Sequence, residues 1–278
     1  MTDKKQKIII VAGPTASGKS DFAVDLALKV NGEIISADSR QIYRGLDIGT
    51  GKITEEEMRG VKHYMLDICD IGNDFSVSDF MDQVLPVIDD IFSSGKTPII
   101  CGGTGQYIQA IIYKNSFPQV PPNEKLREEL EKLSTEELVT RLTIYDPRRA
   151  EYIDKDNRRR LIRALEIIDK KGVVPEIGDL EKRFETEIHL MEPTREELKE
   201  RIKLRLDKRL NEGMLEEGKK VFEMNLSDEQ VKRLGIEYVY MNKYFENKIT
   251  LEEMKEEILH KSWQYAKRQM VWNKKYLK

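Results

Sequence analysis

The 278-residue sequence has few of the residues that build zinc sites and disulfide frameworks. Its two cysteines, Cys69 and Cys101, both lie in apolar, strand-like segments, which favours buried free thiols. The three histidines stand far apart, and together with two cysteines they give no zinc site. We therefore expect that a metal, if the protein uses one, is Mg²⁺ held mostly through substrate oxygens.

Long hydrophobic runs are also absent. No apolar segment approaches the ~20 residues that a membrane span requires, and the N-terminus lacks the apolar core of a signal peptide. A hydrophobic fraction of 39% and a charged fraction of 35% are typical of a soluble globular protein with a highly charged surface. We expect a cytoplasmic monomer with no membrane partner.

A strong positive charge is missing too, since the net charge is −3, which argues weakly against nucleic-acid binding. The charges are unevenly distributed, however. Residues 123–137 and 251–257 are acid-rich, whereas the segment from Lys261 to the end has six basic residues and no acidic one. A positive face on a mildly acidic protein therefore stays open.

The first chemical motif is the segment GPTASGKS, residues 13–20, which fits the phosphate-loop pattern G-x-x-x-x-G-K-[ST]. A strand-like run at 7–12 precedes it and an amphipathic helix at 21–30 follows it, as the motif requires. Its glycines let successive backbone N–H groups point at one anion, and the helix N-terminus adds partial positive charge. The predicted phosphate- or diphosphate-binding residues are Gly13, Pro14, Thr15, Ala16, Ser17, Gly18, Lys19 and Ser20, with the Ser20 hydroxyl also a Mg²⁺ ligand.

The order of apolar runs and amphipathic segments predicts an α/β fold with a parallel sheet. Strands are predicted at 7–12, 33–37, 63–68 and 97–101, and a helix at 79–93 begins after Ser78. The proline-containing segment 117–123 indicates a boundary, after which the pattern is almost wholly helical. A last strand at 184–191 can return to the first sheet, and Thr194 with Glu197 predicts a capping box for a long charged helix.

Asp38 follows the second predicted strand and opens a long polar loop, as binding loops do. Because the carboxyl ends of parallel strands share one crevice, we expect Asp38 near the phosphate loop. It can serve there as a Mg²⁺ ligand, as a general base, or only as a cap. The turn at 102–105, GGTG, allows close approach of its backbone to a ligand, but such turns are common.

Two basic segments are candidates for RNA contact. In RRRLIR, residues 158–163, Arg159 and Arg163 share a helix face while Arg160 points elsewhere, and the alternative is a solvated face with internal ion pairs. In the tail, YAKRQ lies between Trp263 and Trp272, which suits phosphate contact and base stacking. An ordinary amphipathic helix is the alternative there.

Five motifs, in this order and at these separations, carry a family resemblance: GPTASGKS, DSRQIYRGLDIGTGK, GGTGQY, RRRLIRALE and YAKRQ. Across residues 7–272 the chain resembles the bacterial tRNA dimethylallyltransferases. The resemblance implies a P-loop kinase-like α/β core, residues 1–120 and about 184–278, with an inserted, mainly helical tRNA-binding region at about 121–183.

The resemblance further implies transfer of the dimethylallyl group from dimethylallyl diphosphate to N6 of an adenine. That adenine follows the anticodon (position 37) in tRNAs that read codons beginning with U. The implied partners are tRNA, through its anticodon stem-loop, and dimethylallyl diphosphate, with Mg²⁺ as cofactor. The diphosphate leaving group would be stabilised by Lys19, the amides of 15–20 and the metal.

Residue roles are implied in the same way. Asp38 is the general base and Thr104 contacts the target base, so both are counted as catalytic. The tRNA-binding residues are Asp38, Ser39, Arg40, Gln41, Thr104, Arg159, Arg160 and Arg163, with Arg127 added by its position. Arg233 is the predicted second diphosphate-binding cation, although KRLGIEY at 232–238 departs from the family's Q-A-I-G-Y-K-E and leaves Lys232 as an alternative.

Two other functions compete with this one. A small-molecule kinase of the same core fold would use Arg158 to Arg163 as a lid over ATP, but it would not explain the basic, aromatic tail. A non-enzymatic RNA-binding protein would not explain Ser20 and Asp38 at the crevice.

The segment at 175–184 is shorter than the corresponding segment of the family that the chain resembles.

Overall fold

The computed structural model describes residues 5–114, 120–174 and 181–277. The chain divides into two compact units: a core unit, Met1–Ile112 with Arg183–Lys278, and an inserted unit, Tyr113–Lys182. Tyr113 and Lys182, the first and last residues of the inserted unit, form an isolated antiparallel bridge. The predicted boundary at 117–123 and the short segment 175–184 lie partly outside the described residues.

The core unit contains one five-stranded parallel sheet, which confirms the predicted fold class. Its strands are β1 (Lys7–Ala12), β2 (Gly32–Ser36), β3 (His63–Tyr64), β4 (Thr97–Gly102) and β5 (Glu185–Leu190). Their order is β3-β2-β4-β1-β5, so the last strand does return to the first sheet. The prediction of a strand over 63–68 was wrong in length, because Met65 and Asp67 have positive φ angles that end β3 after two residues.

Helices cover the sheet and form the inserted unit. They are α1 (Lys19–Val30), α2 (Glu55–Met58), α3 (Val77–Ser93), α4 (Gly105–Ile112), α5 (Glu124–Glu131), α6 (Thr135–Tyr145), α7 (Pro147–Tyr152), α8 (Arg158–Lys171), α9 (Arg195–Asn211), α10 (Met214–Glu223), α11 (Asp228–Leu234), α12 (Ile236–Phe245) and α13 (Leu251–Tyr276). None of these described helices combines the length and the hydrophobicity needed to cross a membrane.

The N-caps of helices α9 and α3 can be compared with the predicted ones. The box at Thr194 and Glu197 is present and begins α9, as predicted. Helix α3 instead begins after Ser76, because the Ser76 hydroxyl accepts from the amides of Ser78 and Asp79 while the Asp79 carboxylate accepts from the Ser76 amide. Ser78 is therefore helical and caps nothing.

The strand order brings three functional turns together. β2, β4 and β1 are neighbours, and the residues that follow them are Asp38, the glycine turn at 102–105 and the phosphate loop. Apolar side chains of β1 and β4 are buried on both faces of the sheet, as in other parallel sheets covered by helices. The sheet therefore fixes the three turns at its carboxyl edge.

Candidate active site

The loop at 13–20 leaves the end of β1 and runs into α1. Gly18 precedes the helix with a φ of 83°, and no described side chain caps the helix N-terminus. The first helical hydrogen bond runs from the Phe22 amide to the Gly18 carbonyl, so the amides of Lys19 and Ser20 have no acceptor among the described residues. Unpaired amides and the positive end of the helix dipole together form a site for an anion.

The loop is held from outside by two distant helices. The Thr15 amide donates to Oε1 of Gln269 on α13 at 2.8 Å, and Arg201 on α9 donates to the Ser17 carbonyl at 3.2 Å. The Ser17 amide is taken by the Pro14 carbonyl. The expectation that all amides of 15–20 face the ligand is therefore corrected, since those of Thr15 and Ser17 have protein partners.

Lys19 extends into the same crevice, with its Nζ 3.5 Å from the Pro14 carbonyl oxygen. Burial lowers the pKa of Lys19, and the positive charges of Arg205 and Arg209 lower it further, whereas Asp38 acts in the opposite direction. The cleft beside it is also lined by Ser20 and Asp38. A cation, a hydroxyl and a carboxylate thus line one cleft.

Asp38 and Thr104 are placed by hydrogen bonds between the ends of β2 and β4. The Thr104 amide donates to the Ala37 carbonyl at 3.1 Å, and the Ser39 amide donates to the Thr104 Oγ1 at 3.0 Å. One Asp38 oxygen accepts from the Arg40 amide at 2.9 Å. The predicted neighbours Asp38, Ser39, Arg40 and Thr104 therefore lie together in the structure.

Tyr265 adds a group that the sequence analysis did not assign to this cluster. Its side chain lies close to Thr104, and burial together with the charge of Asp38 raises the pKa of Tyr265 to about 12. The phenol therefore stays neutral at physiological pH and can orient the Thr104 hydroxyl.

The loop after Asp38 is anchored to helices of the same unit. Gln41 accepts from the Ser36 hydroxyl and donates to the Gly51 carbonyl at 3.0 Å, so its side chain spans the loop. Its contact with tRNA stays a prediction. The buried Glu217 carboxylate accepts three amides, at distances of 2.7, 2.9 and 2.8 Å from Asp47, Ile48 and Gly49. This carboxylate fixes the far end of the loop.

The glycines at 102–105 make room for protein atoms. A Cβ on Gly102 would lie 2.2 Å from the Ala37 carbonyl oxygen, and one on Gly103 would lie 2.2 Å from Nε2 of Gln269. A Cβ on Gly105 would lie 2.4 Å from the Trp272 ring. The space that these glycines were expected to leave for a ligand is therefore occupied by the backbone after β2 and by side chains of α13.

Helix α9 carries a row of arginines that the sequence analysis missed. Arg201, Arg205 and Arg209 are four residues apart and share one helix face. Arg209 donates to the Gly49 carbonyl at 2.9 Å and pairs with Glu237 at 3.3 Å. The four-residue spacing is visible in the sequence, as is the apolar stripe of Leu198, Ile202 and Leu206, which is buried.

Arg205 differs from its two neighbours. Within the described residues it makes no hydrogen bond and no ion pair, although its charge interacts with those of Glu237, Asp38 and Lys19. Burial and the proximity of Arg209 lower the pKa of Arg205, but the guanidinium stays charged. A half-buried guanidinium without a direct partner, beside the phosphate loop, is suited to bind an anion.

The structure places Arg233 elsewhere. Its guanidinium pairs with Asp74 and lies 3.9 Å from Glu229, and among the described residues none of its contacts is with 13–20. Lys232 is exposed on α11. Arg233 therefore has no described contact with the phosphate loop, and its role as the second diphosphate-binding cation stays a prediction. Arg205 is a second candidate for that role, because its charge interacts with that of Lys19.

In the inserted unit, the predicted RNA-binding arginines separate into two pairs. Arg127 donates to both oxygens of Glu166, at 2.8 and 3.0 Å, and Arg163 donates to Glu166 at 3.2 Å and to the Val120 carbonyl at 2.6 Å. Burial acts to raise the pKa of Glu166, but hydrogen bonds from Arg127 and the Asn123 amide lower it overall.

Arg159 and Arg160 form the other pair. Both are exposed; Arg160 lies 3.8 Å from Asp154, and Arg159 makes no hydrogen bond or ion pair with any residue of the described ranges. These two remain available to a phosphate backbone, whereas Arg127 and Arg163 stabilise the inserted unit itself.

Comparison with known proteins identifies the family. The family model described as IPP transferase matches residues 41–276. The chain belongs to this family. It is 41% identical over 272 residues to a tRNA dimethylallyltransferase of Anoxybacillus flavithermus, a match that covers 96% of this chain and 87% of the relative. A tRNA dimethylallyltransferase of Halalkalibacterium halodurans is 40% identical over 278 residues, covering 96% and 88%.

Solved structures of similar proteins agree with the fold. The full-length tRNA isopentenylpyrophosphate transferase of Bacillus halodurans matches 98% of this chain and 87% of its own, at 39% identity and a TM-score of 0.71. A eukaryotic dimethylallyltransferase acting on tRNA matches 96% of this chain and 70% of its own, at 29% identity and a TM-score of 0.83. These relatives do not favour the small-molecule kinase.

Proposed function

We propose that this IPP transferase moves the dimethylallyl group from dimethylallyl diphosphate to N6 of the adenine at position 37, next to the anticodon. The substrates would be tRNAs that read codons beginning with U. One observation carries the proposal: Lys19, Asp38 and Thr104 meet at the carboxyl edge of one sheet. The names of the relatives agree with the same chemistry.

The donor's diphosphate would lie in the loop at 13–20. There the amides of Lys19 and Ser20, the Lys19 ammonium and the Arg205 guanidinium supply positive charge where negative charge develops. The bond that breaks joins the allylic carbon to the bridging oxygen, and its electron pair leaves with the diphosphate. Because these donors are fixed before the reaction, their stabilisation of the leaving group costs little reorganisation.

The cleft also fits Mg²⁺ held mainly by the substrate. The Ser20 hydroxyl lines it together with the Asp38 carboxylate, and the described residues contain no group of three or more acidic, histidine or cysteine ligands. Such a poor protein ligand set suits Mg²⁺, which keeps waters and takes phosphate oxygens. When bound, the ion would neutralise charge on the diphosphate.

The acceptor chemistry falls to Asp38 and Thr104. As the new C–N bond forms, N6 loses a proton, and the second Asp38 oxygen can accept it while the first stays bonded to the Arg40 amide. Thr104, oriented by Ser39 and Tyr265, would position the base. The target adenine is unpaired in its loop, so its extrusion costs only a few kcal/mol of stacking.

The direct test is transfer of label. Purified protein, unmodified tRNA, Mg²⁺ and radioactive dimethylallyl diphosphate should yield labelled tRNA that digests to N6-dimethylallyladenosine. A tRNA with guanine at position 37 is the matched control and should stay unlabelled. Absence of label, together with ATP hydrolysis stimulated by a small acceptor, would reject the proposal in favour of a kinase.

We also propose that the protein acts as a monomer, since the loop, Asp38, Thr104 and Arg205 all belong to the core unit of one chain. Sedimentation of active protein should give the mass of a single chain. Activity that rises with the fraction of dimer would contradict this.

A further inference from the structure

Gln269 joins the two halves of the site through one carboxamide. Its Oε1 accepts from the Thr15 amide at 2.8 Å, and its Nε2 donates to the Gly103 carbonyl at 2.9 Å. Thr15 belongs to the phosphate loop, and Gly103 directly precedes Thr104. The side chain is 7% exposed, so water competes little for these bonds.

The surroundings allow one orientation of this side chain. Gly103 has no Cβ, and a methyl group there would lie 2.2 Å from the Gln269 Nε2. Reversing the carboxamide would place a donor against the Thr15 amide and an acceptor against the Gly103 carbonyl. The orientation of Gln269 therefore depends on both partners being in place.

The loop end of this bridge is conformationally demanding. Ala16 follows Thr15 with a φ of 61°, in a region that residues other than glycine rarely adopt. Ala16 packs against a small apolar cluster that includes Ala266 and Trp263 of α13. The bond from Thr15 to Gln269 and this packing together hold the loop in its anion-binding form.

The other end continues toward the acceptor. Beyond Gly103, the Thr104 hydroxyl accepts from the Ser39 amide, next to Asp38. A continuous hydrogen-bonded path thus runs from Thr15 through Gln269 to the turn that would receive the adenine. Such a path can transmit order from one binding site to the other.

We propose that Gln269 is a positioning residue that couples the two substrates. An adenine bound at Thr104 fixes the turn at 102–105, the fixed Gly103 carbonyl holds the Gln269 carboxamide, and Gln269 holds the phosphate loop ready. Bound tRNA should therefore tighten diphosphate binding, and diphosphate should tighten tRNA binding by the same factor. This inference rests on the proposed function.

The test measures the Kd of inorganic diphosphate, with Mg²⁺, in the absence and presence of saturating unmodified tRNA. For the wild type we expect tRNA to lower the Kd by about fivefold. Gln269→Glu keeps an acceptor for Thr15 but replaces the donor to Gly103 with a carboxylate oxygen, and Gln269→Met removes both bonds without adding charge. Both variants should bring the ratio of the two Kd values close to one.

Gln264→Glu is the matched control. It makes the same charge change on α13, at a side chain whose hydrogen bond is to His260, and it should keep the wild-type ratio. If Gln269 only shapes the loop, both of its variants will weaken diphosphate binding equally with and without tRNA, and the unchanged ratio overturns the inference. A wild-type ratio of one overturns it as well.

Labelling of tRNA by the same preparations separates the two proposals. A wild type that transfers no dimethylallyl group rejects the proposed function. A wild type that labels tRNA while its Gln269 variants keep the wild-type ratio rejects only the coupling.

Discussion

Helices α8 and α9 are both rich in arginine, yet they use it differently. In α8, Arg158, Arg159 and Arg160 are consecutive, so their side chains fan out around the helix. In α9, Arg201, Arg205 and Arg209 are four residues apart, so they share one face. The dense cluster attracts attention in the sequence, but the spaced row assembles positive charge in one place.

The partners of these arginines differ as well. In the inserted unit, Arg163 is neutralised by Glu166, with Arg127 from α5 on the same carboxylate. In the core unit, Arg201 and Arg209 hold loop carbonyls, and Arg205 between them has no direct partner in the described part of the chain. Arg205 is partly desolvated and has only longer-range interactions with carboxylates, which makes it a candidate for binding an anion.

The largest effect is expected at Asp38, whose carboxylate interacts electrostatically with Arg205. Asp38→Ala should slow the chemical step by about 10²–10⁴-fold, the range of a lost general base, while tRNA still binds. Single-turnover transfer measures it, with Asp47→Ala, an exposed carboxylate of the same loop, as the control. A near-normal single-turnover rate would remove Asp38 from the role of base.

Arg205→Ala tests most directly whether α9, and not α8, supplies a cation that assists the chemical step. Loss of this cation should lower the rate of transfer by about 10²–10³-fold, because it stabilises the leaving diphosphate in a desolvated site. Lys203→Ala, an exposed cation of the same helix, should change the rate little. If Arg159→Ala on α8 slows the chemical step as much as Arg205→Ala does, the proposed difference between the two helices is contradicted.

The features predicted well from sequence are local ones. β1 has the predicted bounds, and the loop at 13–20 with α1 follows from glycine spacing and apolar periodicity alone. The N-cap of α3 was predicted wrongly at Ser78, yet the sequence contained the correct signal. Ser76 and Asp79 have the spacing of a capping box, and Ser78 has no such partner.

Partners distant along the chain were not predictable in this way. The Thr15 amide and Gln269 are 254 residues apart, and no periodicity relates them. The role of Arg205 depends equally on which face of α9 meets the crevice, which only tertiary packing decides. The partner of Arg233 could not be predicted either, since Asp74 lies 159 positions before it in the chain.

Glu166→Gln tests whether Arg127 and Arg163 are structural. Removing the shared charge should lower the free energy of unfolding by about 1–3 kcal/mol, toward the low end because the two arginine side chains are 42% and 35% exposed. Denaturant unfolding measures this, and Glu131→Gln, at an exposed carboxylate, should have little effect.

The pH dependence of this difference has a definite sign. The pKa of Glu166 is lowered in the folded state, so its contribution is present above the usual value of 4.5 and is lost as pH falls through the folded-state pKa. The two proteins should therefore converge in acid. A difference that grows in acid would contradict the assigned ion pairs.

Arg159 and Arg160 should act on tRNA affinity alone. Replacing both with Ala should weaken tRNA binding and reduce the slope of log Kobs against log salt by about 1 to 2, since each phosphate contact contributes roughly 0.7–0.9. Arg163→Ala is the matched comparison and should leave the slope unchanged. An equal change of slope for Arg163→Ala would return that residue to the RNA-binding surface.

The smallest effect links α9 to the phosphate loop through Lys19. Burial, Arg205 and Arg209 lower the pKa of Lys19 below its usual 10.5, so part of the ligand-free protein carries a neutral amine at alkaline pH. Bound diphosphate favours the ammonium, so binding at about pH 9 should take up protons and weaken as pH rises.

Calorimetry in buffers of different ionisation enthalpy measures this proton uptake. Arg205→Ala should reduce it, because one of the charges that lower the pKa is gone, whereas Arg159→Ala should not. Proton release on binding would show that Lys19 is not the titrating group, and an uptake equal in Arg205→Ala and the wild type would separate α9 from the loop.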